Sequence, residues 1–384
     1  MNGWGVYVHL PFCATRCAYC DFAIHLTTDP SRRARYEDAV IREWERRALE
    51  SGRVVSIYFG GGTPSLTAPP VIARILAAIG TRAAVAADVE VTLEANPGTV
   101  TPETLQGYRR AGVNRLSLGV QAVQTHLLQA MGRTHDFQAA CDAVRWARAA
   151  GFRNLNLDAI YGYPDQTVPH VRETLTRLLD LAPEHLSLYQ LQVEPGTALA
   201  RDVRRGRAAL PDEDATADMA DLARDLAEAA GLRRYEVSNF ARAGYESRHN
   251  RLYWNQGRYV GIGMGAHSFD GSRRSWNVRS LSGYLARIEG GQAAALATEE
   301  LTADDLMSEF VWLGLRQVDG IVLSDFRARF GTPLEDVFGI TVERLQRQGF
   351  VSLKEGRLAL SPRGFEVMNR ILPEFLPETA RSLP

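Results

Sequence analysis

Three cysteines within eight positions, Cys13, Cys17 and Cys20, are the residues whose types and spacing are most suited to chemistry. They follow directly after the apolar run 6–12. Soft thiolates select zinc or iron–sulfur clusters over hard cations. Structural zinc usually takes four ligands arranged as two pairs, and this run has no partner pair. The spacing therefore predicts a [4Fe–4S] cubane in which one iron lacks a protein ligand.

A disulfide framework or a set of buried structural thiols is the alternative interpretation of these cysteines. A chain of 384 residues buries enough core to need no such crosslinks, and Cys141 is the one other cysteine in the sequence. The stretch 136–150 around it has the pattern of an amphipathic helix. We therefore expect Cys141 to be a small core residue and not a fourth ligand.

The bulk composition excludes several classes of function. A net charge of −1 and a hydrophobic share of 45% are ordinary for a globular protein and do not indicate a nucleic-acid binder. No stretch approaches the roughly 18 apolar residues of a transmembrane helix, and the N-terminus lacks the pattern of a signal peptide. We expect a cytoplasmic protein, in a reducing compartment that suits thiols and a cluster. Lys354 is the sole lysine and lies in a predicted turn, which argues against Schiff-base chemistry.

A strand followed by a helix repeats along the first 235 residues. After the N-terminal apolar run, strands are predicted at 54–59, 89–93, 115–120, 154–160 and 185–191. Helices are predicted at 29–50 and 69–79, from 101, 136 and 168, and at 212–230. About six such units predict an α/β fold, a parallel sheet curled into a partial (βα)6 barrel. A doubly wound sheet is the alternative, but the even spacing and the absence of a G-x-G-x-x-G turn disfavour it.

The chemistry of such a barrel lies at the carboxyl ends of its strands. Each predicted strand ends in polar residues or glycines, so one face is expected to collect the site. From residue 236 to 300 the repeat gives way to short mixed segments. Residues 301–384 show helices followed by a hairpin at 350–360, which is typical of a winged-helix-like domain. Its charges are mixed, so we expect a scaffold or docking role for it in preference to DNA binding.

Four segments of the sequence are similar to those of a known protein family: 7–13, 60–64, 116–121 and 156–162. Together with the C-x3-C-x2-C spacing, they resemble the oxygen-independent coproporphyrinogen oxidase branch of the radical-SAM superfamily. The resemblance implies that the amino and carboxylate groups of S-adenosylmethionine (SAM) chelate the open iron. It also implies a set of residues that contact SAM: Tyr7, Tyr19, Gly61, Gly62, Thr63, Glu94, Gln121, Arg133 and Asp158.

The chemistry of these residue types agrees with that implied role. Glu94 and Asp158 are acceptors for ribose hydroxyls, and the guanidinium of Arg133 suits a carboxylate as a bidentate partner. The glycines permit close approach to a ligand. The structural alternatives are a helix N-cap for either acid and a tight strand-to-helix turn for the glycines.

Two further features point to one branch of this family. Phe22 stands where the oxidases have a fourth cysteine, in C-x3-C-x2-C-x-C. The hexapeptide 249–254 matches HNxxYW, the signature of the HemW-type haem chaperones. The resemblance implies a protein that receives haem and delivers it to an acceptor haem protein, such as a respiratory protein at the membrane surface. Porphyrin decarboxylation is then not expected.

In that branch His249 is the implied axial ligand of the haem iron, and Tyr253 and Trp254 are suited to cover the macrocycle. His267 and Met264 are secondary ligand candidates. A structural histidine that caps a turn beside a packed tryptophan is the alternative for His249. Two other functions remain open: a coproporphyrinogen III oxidase that cleaves SAM, and a radical-SAM enzyme with an unrelated substrate.

Overall fold

A large mixed β-sheet organises the chain in the computed structural model, which describes residues 3–27, 29–47, 49 and 51–376. The strands, in chain order, are β1 Gly3–Leu10, β2 Phe12–Cys13, β3 His25–Leu26, β4 Arg53–Gly61, β5 Ala84–Ala95, β6 Arg115–Gln121, β7 Leu155–Tyr161, β8 His185–Gln190, β9 Arg233–Arg234, β10 Asn239–Ala241, β11 Tyr259–Ile262, β12 His267–Phe269, β13 Arg273–Asn277, β14 Ala295–Glu300, β15 Ile321–Val322, β16 Val351–Lys354 and β17 Arg357–Leu360.

Helices connect and cover these strands. In chain order they are α1 Pro30–Arg46, α2 Pro69–Arg82, α3 Pro102–Ala111, α4 Thr125–Ala130, α5 Phe137–Ala149, α6 Val168–Leu179, α7 Ala198–Arg204, α8 Glu213–Ala229, α9 Arg248–Trp254, α10 Leu281–Glu289, α11 Ala303–Gly314, α12 Leu323–Phe330, α13 Leu334–Arg347, α14 Pro362–Glu366 and α15 Met368–Ile371. Short 3-10 turns lie at Pro64–Leu66, Pro97–Thr99 and Leu372–Phe375. Among the helices of the described ranges, none combines the length and apolar composition that a membrane crossing requires.

The centre of the sheet is a run of parallel strands in the order β1, β4, β5, β6, β7, β8. Each strand of this run is connected to its next neighbour in the sheet by a segment that contains at least one helix, in agreement with the short right-handed connections of parallel sheets. The connection between β1 and β4 also contains β2 and β3. Within the described residues the two edge strands, β9 and β14, pair with no further strand, so the barrel stays open. The predicted partial barrel is confirmed.

Sequence signals at the helix starts account for the regularity of these units. The side chain of Thr101 forms a reciprocal capping box at the start of α3. The carboxylates of Asp136 and Asp212 accept hydrogen bonds from the backbone at the starts of α5 and α8. These helices begin where the sequence predicts. Cys141 lies on α5, where it packs against the main hydrophobic core.

The first helix is shorter than the predicted 29–50. Asp29 caps it, and it ends at Arg46, since Arg47 already has extended backbone dihedrals. Positions 48 and 50 lie outside the described residues. Within the helix, Val40 and Trp44 lie in the core, and Leu49, beyond its end, also packs against the core.

The segment 236–300 extends the sheet at both ends. β10 pairs antiparallel with β8, whereas β11 pairs parallel with the other side of β1. Strands β12, β13 and β14 then continue outward in antiparallel order. α9, which carries the HNxxYW hexapeptide, lies between these two extensions in the chain. β1 is therefore an interior strand, flanked by β4 and by β11.

The C-terminal residues 310–375 form a second hydrophobic cluster with its own three-stranded sheet, in the order β15, β17, β16. Helices α11 to α13 precede the β16–β17 hairpin, as in a winged-helix arrangement. Glu309 on α11 accepts two 2.7 Å bonds from Arg274 on β13, which attaches the cluster to the large sheet. Residues 377–384 of the predicted domain lie outside the described residues.

Candidate functional site

A cavity of about 450 Å³ opens at the carboxyl ends of the parallel strands. Its walls contain all three cysteines of the N-terminal motif. They also contain eight of the residues implied to contact SAM: Tyr19, Gly61, Gly62, Thr63, Glu94, Gln121, Arg133 and Asp158. Since these positions come from the ends of several strands, the barrel brings together residues more than a hundred positions apart in the chain.

Hydrogen bonds to two other segments of the chain hold the cysteine loop. The Gly62 and Thr63 N–H groups, just after β4, donate to Leu10 and Phe12, both at 2.9 Å. Ala18 donates to Met131 at 3.1 Å, and this contact ties the loop to the segment after α4. The Thr63 hydroxyl donates to Cys13 Sγ at 3.4 Å. These contacts support the loop on both sides.

The thiols differ in burial, and this affects their ionisation. Cys13 is buried, whereas Cys17 and Cys20 are half-buried. Burial raises the pKa of Cys13 and of Cys20 and so favours their neutral thiol forms. Binding to iron would stabilise the thiolates and release the protons. In the described part of the chain no three such ligands converge on a single ion. A cubane places each thiolate on a different iron, so it does not require the three thiols to meet on one ion.

Close packing against β1 and the residues after it explains why glycines occupy positions 61 and 62, at the end of β4. A Cβ on Gly62 would lie 2.6 Å from the carbonyl carbon of Pro11, and one on Gly61 would lie 2.6 Å from the His9 ring. Gly61 also has a φ of 115°, which L-residues rarely adopt. The tight-turn alternative thus explains these glycines, and their place in the cavity wall suits close approach to a ligand as well.

Glu94 is half-buried at the end of β5. Its Oε1 accepts a 2.8 Å hydrogen bond from the hydroxyl of Tyr58 on β4. Burial, together with the nearby charge of Asp158, raises the pKa of Glu94 to about 7, although the hydrogen bond from Tyr58 acts in the opposite direction. An adenosyl sulfonium cation is a suitable partner for such a carboxylate, because a positive charge would stabilise its ionised form.

Asp158 lies on β7 in a network of polar side chains. Asn156 Nδ2 donates to its Oδ1 at 2.7 Å, and Ser117 Oγ lies 3.2 Å from its Oδ2. Burial raises the pKa of Asp158 despite these bonds. The helices that follow β5 and β7 are α3 and α6, and their N-terminal caps are Thr101 and Thr167 instead of Glu94 and Asp158. The structure therefore does not support the N-cap alternative for Glu94 or Asp158.

Arg133 supplies the cationic side of the cavity. Its Nη2 donates to the Tyr19 hydroxyl at 2.9 Å, while its buried Nε has no hydrogen-bond partner among the described residues. An unpaired buried donor is costly unless a ligand satisfies it, and the carboxylate of an amino acid suits this geometry. Gln121 has a φ of 71°, a strained conformation for a residue with a side chain, at the end of β6.

Tyr7 does not line this cavity. Its hydroxyl lies 3.1 Å from His9 Nδ1, and its ring stacks against Tyr58 with centroids 6.2 Å apart. It lines a second cavity beside the first, together with Gly61 and Glu94. Of the nine residues implied to contact SAM, Tyr7 is the one that the structure places outside the main cavity wall.

The axial-ligand prediction for His249 disagrees with the geometry. The side chain is 1% exposed; its Nδ1 lies 2.9 Å from Ser56 Oγ and its Nε2 2.8 Å from the Tyr253 hydroxyl. Both nitrogens are therefore occupied, as in the structural alternative. Burial lowers the pKa of His249 to about 3. Met264, a secondary candidate, lies in the main core and is also unsuited as a ligand.

The position of α9 gives the reason for this burial. The Glu90 carboxylate on β5 accepts from the N–H groups of Arg248 and His249. The His249 ring also approaches Gly5, near the start of β1. α9 thus packs at the amino-terminal side of the parallel strands, opposite the cysteine loop. Residues on that side of a barrel usually contribute to stability.

Sequence reasoning missed several polar residues of the cavity wall. Tyr58, Ser117 and Tyr189 all line it. Side chains of a strand alternate between its two faces, so Ser117 shares a face with Gly119, and Tyr58 shares one with Gly60. Counting back in steps of two from the wall residues Gln121 and Gly62 was the signal that would have found Ser117 and Tyr58.

Two family models match the chain. The Radical SAM superfamily matches residues 7–178, and the HemN C-terminal domain matches residues 301–367. The first covers most of the parallel barrel with the cysteine loop, and the second covers most of the separate C-terminal cluster.

Known proteins resemble the chain over almost its whole length. It is 35% identical to the heme chaperone HemW of Lactococcus lactis subsp. lactis, covering 96% of both chains. It is also 35% identical to the heme chaperone HemW of Escherichia coli, covering 97% of this chain and 98% of that protein. The solved structure of coproporphyrinogen III oxidase (HemN) from Escherichia coli superposes with a TM-score of 0.86 at 25% identity, covering 97% and 90%. By these whole-length similarities and the barrel that carries its cysteine loop, the chain belongs to the HemW family within the Radical SAM superfamily.

Proposed function

We propose that this protein is a haem chaperone, which binds haem and transfers it to an acceptor haem protein. The observation that carries the proposal is the whole-length similarity to proteins named as heme chaperones HemW. The HNxxYW hexapeptide on α9 and Phe22, at the position of the oxidase's fourth cysteine, support the same branch. The acceptor class that we propose is a haem protein such as a respiratory one at the membrane surface.

The large cavity is the proposed site of a [4Fe–4S] cluster and SAM. Cys13, Cys17 and Cys20 would hold three irons, and SAM would supply amino and carboxylate ligands for the fourth. Glu94 and Asp158 supply acceptors for ribose hydroxyls, and the other implied residues except Tyr7 complete the wall. The proposed division of the chain is a barrel over 1–235, a segment with the hexapeptide over 236–300, and a C-terminal domain over 301–384.

Coproporphyrinogen III oxidase activity is the second candidate function, favoured by the superposition on HemN. The two functions make opposite demands on the porphyrin. An oxidase removes carboxyl groups from a reduced porphyrinogen and consumes SAM, whereas a chaperone binds oxidised haem and releases it unchanged. Phe22 is 62% exposed and cannot act as a ligand in place of the oxidase's fourth cysteine.

One anaerobic experiment separates these functions. The protein with reconstituted cluster and SAM is titrated with haem while the Soret band is recorded, then mixed with an apo-haem protein to measure transfer. A parallel sample receives coproporphyrinogen III, SAM and a reductant, and protoporphyrinogen is assayed. We expect saturable haem binding, transfer and no product. Protoporphyrinogen without haem binding would favour the oxidase, and neither result would favour a radical-SAM enzyme with another substrate.

A further inference from the structure

A second cavity, of about 330 Å³, lies beside the proposed SAM site and shares Asp21, Phe22, Gly61 and Glu94 with its wall. Its remaining wall comes from β1, α9 and the strands that extend the sheet beyond β1. Its volume is within the range of roughly 300–1,000 Å³ that small-molecule sites occupy. The second cavity therefore lies next to the cysteine loop, which contributes Asp21 and Phe22 to its wall.

The histidines around this cavity differ in whether their ring nitrogens are free. His9 is bonded through Nδ1 to the Tyr7 hydroxyl and through Nε2 to the Ala23 carbonyl. His249 is likewise bonded at both nitrogens. His267, on β12, has no hydrogen-bond partner at either ring nitrogen among the described residues, and its side chain is exposed along the cavity. It is thus the imidazole that a metal can reach without a rearrangement of the protein.

The surroundings of His267 suit a neutral, oriented ligand. Its ring stacks on Trp276 of the neighbouring strand, with centroids 5.9 Å apart. Partial burial in the cavity wall lowers the pKa of His267 from its ordinary value, and the charges of Arg274 and Arg279 lower it further, which favours the neutral imidazole.

Arg279 adds a cationic group to the same cavity wall. One of its terminal nitrogens donates to the Asp21 carbonyl at 3.3 Å, and in the described ranges it has no carboxylate partner. A guanidinium with free donors binds carboxylates in a bidentate manner. The propionates of haem are carboxylates, so Arg279 is suited to hold one of them.

Aromatic side chains supply the apolar part of the wall. Phe22 is 62% exposed between the two cavities, and Tyr253 and Tyr259 lie edge to face with centroids 4.7 Å apart. Tyr253 belongs to the HNxxYW hexapeptide, and its hydroxyl is bonded to His249 Nε2. The hexapeptide therefore contributes Tyr253 to the wall of this cavity. His249 lies outside the wall and orients Tyr253 through the hydrogen bond to its hydroxyl.

We propose that the second cavity receives haem, with His267 as the axial ligand, Arg279 as the partner of a propionate and Tyr253 as a contact to the macrocycle. This inference rests on the proposed haem-chaperone function. His249 is a positioning residue in this assignment, since it acts through Tyr253. The cavity is smaller than a haem and His267 is exposed, so part of the macrocycle stays accessible, as delivery to an acceptor requires.

The test is an anaerobic haem titration of the protein loaded with cluster and SAM, with four forms compared by absorbance and electron paramagnetic resonance. They are the wild type, His267→Ala, His249→Ala and a control, His126→Ala, which removes an exposed histidine of α4. We expect the control to match the wild type. His267→Ala should bind at least about tenfold more weakly with a shifted Soret band, since an axial bond is lost. Added imidazole should restore the wild-type spectrum, a rescue that a merely structural role would not produce.

His249→Ala should lower haem affinity but keep the wild-type Soret position. A wild-type spectrum and affinity in His267→Ala would overturn the assignment while the chaperone function stands. Loss of the axial signature in His249→Ala alone would also overturn it and make His249 the ligand. Absence of haem binding by the wild type would overturn the proposed function itself, and this inference with it.

Arg279 is tested by comparing haem with its dimethyl ester, in which both propionates are blocked. The wild type should bind haem roughly ten- to a hundredfold more tightly than the ester, as expected for a charge-assisted contact. Arg279→Met should remove most of this preference while retaining the cluster absorbance. If Arg279→Met keeps the full preference for haem over the ester, Arg279 does not bind a propionate.

Discussion

At the scale of single residues, the cluster ligands are the most direct prediction. Cys13→Ala, Cys17→Ala and Cys20→Ala should each abolish the cluster, because each removes one of three thiolates and no nearby cysteine can replace it. Cys141→Ala is the matched control, since Cys141 packs against the core on α5. Iron and sulfide content with the visible absorbance of reconstituted protein measures the result. Loss of the cluster from folded Cys141→Ala would show that the ligand set is wrong.

SAM affinity tests the polar wall of the cavity. Arg133→Ala and Asp158→Ala should each weaken SAM binding about ten- to a hundredfold, because a charge-assisted hydrogen bond contributes roughly 1.5–3 kcal/mol. Isothermal titration of the cluster-loaded protein measures this. Arg145→Ala, on the exposed face of α5, is a suitable control, since its side chain is largely in solvent and pairs with Asp142. Wild-type SAM affinity in both test variants would remove these residues from the proposed site.

At the scale of elements, the turn after β4 joins the barrel to the cysteine loop. Gly62→Ala should destabilise the protein by about 1–3 kcal/mol, because the added Cβ meets the Pro11 backbone and the turn must shift. Urea unfolding measures the change, and iron content after reconstitution should fall with it. Gly80→Ala is the control: its Cβ meets nothing within 4 Å on α2, so this substitution should stabilise by about 0.5–1 kcal/mol. Equal effects of the two substitutions would contradict the proposed role of the turn.

The elements that the sequence predicted well are those with strong local signals. α5 and α8 begin beside the caps Asp136 and Asp212, and β6, buried along its whole length, was predicted within one residue. The additions at the sheet edges were not predicted, since β9 to β12 are two to four residues long. Strands of this length carry too little alternation to be recognised, and their pairing depends on partners far away in the chain.

The candidate site shows the same contrast between residues with a local sequence signal and residues whose position depends on distant parts of the chain. The positions at strand ends converge on one cavity because barrel topology places them there, so Glu94 and Gln121 could be found from the sequence. His249 could not be placed in this way. The hexapeptide shows residue types and helical spacing, but not that Glu90 and Ser56 would hold the helix against the amino-terminal side of the barrel. Burial of that kind depends on contacts across 159 and 193 positions.

At the scale of the whole molecule, buried histidines link stability to acidity. Burial lowers the pKa of His9 and His135 to about 4, that of His249 to about 3 and that of His185 well below its usual range. Unfolded histidines titrate near 6.5, so below that pH the unfolded chain binds more protons than the folded one. These groups thus contribute stability that is present above pH 6.5 and is lost as the pH falls toward 4.

His135→Gln tests this linkage on one residue. The buried ring nitrogen Nε2 of His135 lies 3.2 Å from the Val120 carbonyl, a contact that a glutamine amide can replace. Between pH 6 and 4 the free energy of unfolding of the variant should fall less steeply, by about 1.4 kcal/mol per pH unit for the one proton removed. Urea unfolding of the cluster-free protein at several pH values measures the slope. The exposed His126→Gln should keep the wild-type slope, and an unchanged slope in His135→Gln would contradict the linkage.

The interior position of β1 bears on how the protein is made. β1 can pair with β4 when about 50 further residues have been synthesised, but its other neighbour, β11, lies about 250 residues further along the chain. A ribosome adding about 5–20 residues per second needs roughly ten to fifty seconds for that length. Throughout this interval β1, which directly precedes the cysteine loop, has one edge without a paired strand. The order of synthesis therefore favours delivery of iron and sulfide after the chain has left the ribosome.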